Sequence, residues 1–193
     1  NRMIDYLHTT KGISLNKLEY VTNGVDLDFF KPEFDKVQEF KEQLGFEDKL
    51  IFGYVGGFQS WQGTENLIKA AKSLNDDDIA FLIVGGETTL PNRDNCNTIF
   101  IPKINRNEIP NYYSASDVLI LPRPFHIATE VAAPTKFAEY TSMGKPVLTS
   151  NVGDAADLVK KYNSGIVVDN NHVNNLLNGF DQFKNLDDAE LRR

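Results

Sequence analysis

The chain has 193 residues, 41% hydrophobic and 24% charged, the composition of one folded globular domain whose core needs neither disulfide nor metal. A net charge of −7 disfavours nucleic acid and anionic lipid as partners, because both are gripped by concentrated Lys and Arg. No apolar run approaches the roughly 20 residues that cross a bilayer, and Asn1-Arg2-Met3-Ile4-Asp5 has no signal-peptide core, so a cytoplasmic setting is expected. The single cysteine, Cys96, reads as an inert loop thiol, and no Cys or His cluster has zinc-ligand spacing.

In chain order, residues 18–22 give the first strand-like run and 35–44, closing at Gly45, the first helical stripe. A strand follows over 50–55, then a glycine-bounded loop over 56–63, then a helix over 64–74. There Leu67, Ile68, Ala71 and Leu74 share one face behind an expected Thr64 N-cap. Strands over 79–84 and 98–101 precede a helix over 107–115. The remaining strands are 117–121, 146–149 and 165–168, with helices over 134–143, closing at Gly144, and 154–162. The Asn-rich stretch 170–178 keeps a helical stripe in Val173, Leu176, Leu177 and Phe180. Asp187-Asp188-Ala189-Glu190 has a helix-start signature that the last residue, Arg193, leaves unfinished, so a piece of a longer protein is expected.

Strands alternate with helices, and the strands after Leu50 are almost continuously apolar. That pattern predicts an α/β, Rossmann-like parallel sheet with helices on both faces and right-handed crossovers. Ligands bind such sheets beyond the carboxyl ends of the strands. The segments 56–63, 85–88, 102–106, 122–133 and 150–153 are therefore the candidates for a site.

In the first of these, Gly56 and Gly57 let backbone amides approach a diphosphate closely. The competing reading is a tight turn with Trp61 packed as a lid. Later, Pro134 suits the first position of a helix, which aims the amides of Thr135 and Lys136 outward, and Lys136 adds a full charge beside them. Glu139 lies one turn deeper, where a carboxylate can accept both hydroxyls of a ribose; the alternative is an exposed Lys136–Glu139 helix pair. His8, His126 and His172 read as exposed loop residues, with His126 the one nearest a strand end. Asn23-Gly24 is a favoured turn dipeptide in any fold.

Taken together, five blocks resemble the family 4, or group 1, glycosyltransferases. They are Val21-Thr22-Asn23-Gly24-Val25-Asp26 with Phe29-Phe30-Lys31-Pro32; Tyr54-Val55-Gly56-Gly57-Phe58 with Gly63; Phe81-Leu82-Ile83-Val84-Gly85; Ile109-Pro110-Asn111-Tyr112-Tyr113-Ser114-Ala115-Ser116-Asp117-Val118; and Phe137-Ala138-Glu139-Tyr140 through Gly144-Lys145-Pro146-Val147 to Gly153. The resemblance covers about residues 17 to 168. It implies one half of a GT-B fold: residues 1–31 as hinge or remnant of an N-terminal acceptor domain, and 32–193 as the donor domain with its last helix truncated. The implied activity is transfer, with retention, of a hexosyl group from a UDP- or GDP-sugar to a glycan of polysaccharide or lipopolysaccharide type. No metal or cofactor is needed besides the donor. The longer enzyme would work at the inner face of the membrane, and this piece alone would be inactive. By resemblance Glu139 holds the ribose, the start of the Pro134-Thr135-Lys136 helix holds the diphosphate, and the backbone of Lys103 and Ile104 supports the base.

The departures are specific. Most members carry Arg at the place of Gly57 and Lys at the place of Gln62, two cations facing the diphosphate; Lys136 and Arg123 are the candidates to replace them. The usual first Glu of the family falls on Val131, with Glu130 one residue earlier. The Gly-x-Phe-x-x-Trp-x-Gly form of the first loop resembles a minority variant, so an active enzyme is still expected. Two further readings stay open: a sugar-nucleotide epimerase of related architecture, and a degenerate domain that binds a nucleotide or partner without transfer. A receiver-type module lacks the acid cluster at the first strand end.

Overall fold

The computed structural model describes residues 2–32, 34–86, 93–94 and 97–187. Cys96, the outer part of the expected 85–88 loop, and residues 188–190 of the expected helix start lie outside them. The strands are β1 Leu50–Val55, β2 Ile79–Gly86, β3 Arg93–Asp94, β4 Thr98–Pro102, β5 Val118–Leu121, β6 Val147–Ser150 and β7 Gly165–Val168. They form one sheet in the order β3-β4-β2-β1-β5-β6-β7, parallel throughout except for the short β3, which runs against β4. The helices are α1 Arg2–Lys11, α2 Phe34–Leu44, α3 Thr64–Ser73, α4 Ile109–Ala115, α5 Ile127–Val131, α6 Thr135–Ser142, α7 Gly153–Tyr162 and α8 Val173–Lys184.

Alternation along β1 divides the core in two, since successive side chains of a strand point to opposite faces. Ile51 and Val55 pack with Tyr113 of α4, Tyr140 of α6 and Ala155 and Val159 of α7. Phe52 and Tyr54 pack with Leu67 of α3 and Leu176, Phe180 and Phe183 of α8. Phe52 lies 5.8 Å from the Phe81 ring and 4.8 Å from the Phe180 ring; burying one such side chain contributes about 2–3 kcal/mol. Because both faces are covered, β5 and β6 are buried at every residue, which accounts for the unbroken apolar sequence of β5, while in β6 the buried hydroxyls of Thr149 and Ser150 donate to the carbonyls of Leu121 and Arg123.

The chain leaves β1 outward through β2 to β4 and then returns to β5 on the other side of β1. Strand order reverses there, and in such sheets the ligand site lies at the carboxyl edge beside this point.

Several local expectations are corrected. Residues 18–22 pair with no strand among the described residues, and Tyr20 and Val21 stand 59% and 82% exposed. Their spacing is strand-like, but they bury nothing. Asn23-Gly24 forms no turn; the turn falls on the next residues, where Asp26 Oδ1 accepts the amides of Asp28 and Phe29, each at 3.1 Å. Thr64 opens α3 instead of capping it, because Gly63, at φ +75°, takes the cap position. Pro134 likewise caps α6, its ψ of 125° being extended, and its carbonyl accepts the amide of Phe137 at 3.2 Å. The unforeseen elements are α1, which buries no residue, the five-residue α5, and β3.

Candidate functional site

Glycines set the shape of the crevice. Beyond β1 the Gly56 amide donates to the Val84 carbonyl at 2.9 Å. Gly85, at φ +110°, lies so close that a Cβ there would stand 2.3 Å from the Gly56 oxygen. At the far end of the loop, a Cβ on Gly63 would stand 1.7 Å from the Pro122 oxygen, so the segments after β1 and β5 touch backbone to backbone. Beside them opens a groove of about 920 Å³ lined by Gly56, Gly57, Phe58, Thr64, Glu65, Ile68, Lys103, Ile104 and Ile109, among others. Its walls are apolar flanks with polar groups at the rim, the make-up of a small-molecule site.

Lys136 arrives from α6 on the same glycine that lines this groove. A Cβ on Gly56 would fall 1.9 Å from Lys136 Nζ, so the ammonium occupies the space that any side chain at 56 would need. Nζ donates to the Tyr54 hydroxyl at 3.3 Å and stands 4.7 Å from the centre of that ring. The Tyr54 hydroxyl in turn donates to the Gly57 carbonyl at 2.7 Å, linking lysine, strand end and glycine loop. Burial pulls the Lys136 pKa down to about 8, with Arg123 adding to the fall and Glu139 opposing it.

Arg123 follows β5, and its pKa is also lowered by burial. Its Nε is buried without a hydrogen-bond partner. Among the described residues neither Lys136 nor Arg123 forms an ion pair with a carboxylate. Two desolvated neighbouring cations, neither ion-paired with a carboxylate, favour an anion, since either charge is costly to bury alone.

Glu139 is half-buried, and its Oε2 accepts from the Tyr113 hydroxyl at 2.8 Å. Lys136 and Glu139 therefore have separate partners, and the exposed-pair reading fails. The groove gathers Gly56, Gly57, Lys103 and Ile104; Gln62, Pro134, Thr135, Lys136 and Glu139 are not part of its lining. Gln62 sits in a 3-10 turn, Ser60–Gln62, its amide donating to the Gln59 carbonyl. Trp61 is 51% exposed and packs as no lid.

Glu130 has other work: it pairs with Arg2 of α1, while its Oε2 accepts the Gly153 amide at the start of α7 at 3.1 Å. His126 caps α5, Nδ1 accepting from the Ala128 amide at 3.1 Å, and His8 Nδ1 lies 2.9 Å from the Ile13 carbonyl. No group of His, Cys, Asp or Glu among the described residues could hold a metal ion, and no described helix is long and apolar enough to cross a membrane. Tyr54 and Tyr113 were missed in the sequence. No local pattern in the sequence singles them out, since each hydroxyl meets its partner from a distant element.

Comparison with known proteins agrees with this geometry. The UDP-Gal:alpha-D-GlcNAc-diphosphoundecaprenol alpha-1,3-galactosyltransferase of Escherichia coli is 29% identical over 174 residues, covering 84% of this chain and 44% of that protein. The chain thus spans less than half the length of that relative. A solved glycosyltransferase from Rickettsia africae superposes with a TM-score of 0.79 at 22% identity, over 100% of this chain and 54% of that one. HepE of Anabaena, solved in complex with UDP-glucose, superposes with a TM-score of 0.75 at 17% identity, over 95% and 51% of the two chains. The profile of the family described as Glycosyl transferases group 1 matches residues 36–193. With its Rossmann-like half of a GT-B fold, the chain belongs to the group 1 glycosyl transferases.

Proposed function

We propose that the chain is the donor-binding half of a retaining glycosyltransferase that moves a hexosyl group from a UDP- or GDP-sugar to a glycan acceptor. The observation that carries this reading is the desolvated ammonium of Lys136, held against Gly56 at the switch point without an acid partner. A diphosphate laid along Gly56 and Gly57 would meet Lys136, the start of α6 and the Arg123 guanidinium. These charges are fixed before the sugar leaves, so they would stabilise the negative charge growing on the leaving diphosphate without reorganisation. The base would lie in the groove against Lys103 and Ile104, and the ribose on Glu139. The Escherichia coli relative is a transferase from UDP-Gal to GlcNAc-diphosphoundecaprenol, which favours a nucleotide-sugar donor and a polysaccharide or lipopolysaccharide acceptor here. Acceptor binding would belong to a second, N-terminal domain, at the inner face of the membrane, and residues 1–31 would lead into it.

The second reading, binding without transfer, is favoured by the absence of cations at Gly57 and Gln62. Binding of the phosphates tests whether Lys136 makes good that loss. Calorimetric titration with UDP, GDP, uridine and guanosine should show Lys136→Ala weakening the matching diphosphate by on the order of tenfold or more, the scale of a charge-assisted hydrogen bond. The nucleosides should be almost unaffected. Equal losses for diphosphate and nucleoside would remove Lys136 from the phosphate site.

A further inference from the structure

Glu139 carries the ribose in the reading above, and the structure adds a fact about how that carboxylate is held. Tyr113 of α4 is 1% exposed, and its hydroxyl donates to Glu139 Oε2 at 2.8 Å. Two rings clamp the tyrosine: Phe30 stacks on it at 5.9 Å between centroids and 29° between planes, and Tyr140 meets it edge-on at 5.0 Å and 85°. Packed this way the ring cannot swing, so the place of its hydroxyl is set by the core and not by solvent. Burial, with Tyr140 and Glu139 beside it, holds the phenol protonated well above the usual tyrosine range, which makes it a donor at any working pH.

We infer that Tyr113 is a positioning residue for donor binding: its clamped hydroxyl holds one oxygen of Glu139 and thereby presents the other to the ribose. A glutamate on a helix otherwise samples several rotamers, and a ligand that needs one of them bears the entropy of selecting it. With Oε2 fixed, that selection is made before the nucleotide arrives. Phe30 lies just after the Asp26 turn, its amide donating to the Asp26 carbonyl at 2.8 Å. The same segment is fastened to the start of α6, where Asn23 Nδ2 donates to the Ala133 carbonyl at 2.8 Å. The 23–30 segment therefore braces both the cap of the donor helix and, through Phe30 and Tyr113, its carboxylate.

The inference rests on Glu139 as the ribose ligand, and the experiment separates the two. Tyr113→Phe keeps both ring contacts and deletes only the hydroxyl. Wild type, Tyr113→Phe, Glu139→Gln and the double variant of the 193-residue chain are titrated with UDP and 2′,3′-dideoxy-UDP, and with the GDP pair if GDP binds more tightly. Tyr113→Phe should weaken UDP by about three- to tenfold and leave the dideoxy ligand within about twofold. The double variant should bind UDP no more weakly than Glu139→Gln alone, because the hydroxyl acts only through that carboxylate. A merely structural tyrosine would lower affinity for both ligands alike. If Glu139→Gln is selective for the ribose hydroxyls while Tyr113→Phe binds UDP like wild type, weakens both ligands equally, or adds its full loss to Glu139→Gln, the positioning role is overturned and the ribose assignment stands. If Glu139→Gln weakens both ligands equally, or wild type binds neither nucleotide, the ribose assignment falls and the positioning role falls with it.

Discussion

Lys136 keeps an ammonium where burial opposes it, and the opposition has a sign that can be measured. Its pKa in the fold, about 8, lies below the 10.5 of an exposed lysine. Between those values the unfolded chain holds the proton and the folded chain does not, so this group makes stability rise with pH across that window. Below about 8 the cost of burying the charge is fully present. Lys136→Met should therefore stabilise the ligand-free chain at pH 7 by on the order of 1–3 kcal/mol, as replacement of a desolvated charge by an apolar side chain commonly does. Diphosphate binding has the opposite preference, because it needs the charged form. UDP affinity should hold steady below about pH 8 and fall above it by up to about tenfold per pH unit, with proton uptake near pH 8. Calorimetry in buffers of different ionisation heat reads both quantities. A wild-type profile that is flat from pH 7 to 9.5, or one that Lys136→Met leaves unchanged, would show that another group governs binding.

At the scale of elements, the strand ends are joined by glycines of two kinds, and substitution tells them apart. A methyl on Gly56 meets the mobile end of Lys136, which can swing away. A methyl on Gly85 meets the Gly56 carbonyl, which cannot, at a φ of +110° that side chains rarely adopt. Gly56→Ala should leave the melting temperature within a few degrees yet weaken diphosphate binding about as much as Lys136→Ala does. Gly85→Ala should destabilise the fold by on the order of 3 kcal/mol. Thermal melts beside UDP titrations decide it, and a Gly56→Ala chain that binds normally would mean that the ammonium does not need its present place.

The same contrast explains what could be read in advance. The central parallel strands β1, β2, β5 and β6 were legible because both their faces are buried, which leaves mostly apolar runs. Residues 18–22 misled for the converse reason: their spacing resembles a strand, but pairing is a tertiary fact, and Val21 lies in solvent. The helix α1 was invisible because it buries no residue, and its Arg2 is held by partners far along the chain, Glu130 and Asp157. Glu139 and Lys136 could be singled out as charges at a helix start. Their partners Tyr113 and Tyr54 could not, since no local pattern announces a hydroxyl that crosses between elements at a sequence distance of 26 or 82 residues.

The whole molecule carries a charge of −7, so in the proposed enzyme a phosphate ligand would be drawn by a local field, that of Lys136, Arg123 and the start of α6. That field sits at an open edge. Trp61 and Phe125, in the segments that follow β1 and β5, and Ile127 at the start of α5 stand 51%, 75% and 47% exposed. Large exposed apolar side chains fit a surface that a second body covers, and in the proposed enzyme that body would be the acceptor domain. In the proposed enzyme, closure of one half on the other would exclude water and bring the acceptor hydroxyl to the sugar. The 193-residue chain should therefore bind UDP- or GDP-sugar without sustained turnover, with or without added glycan acceptors. Joining an N-terminal acceptor domain of a group 1 enzyme ahead of Asn1 should restore acceptor-dependent transfer. The Lys136→Ala version of that joined protein should then lose most of the rate, because the leaving diphosphate loses its nearest charge. A radiolabelled-donor assay over many turnovers reads all of these results. Multiple-turnover transfer by the 193-residue chain alone would show that the site is complete without closure and that the division of labour argued for here is wrong.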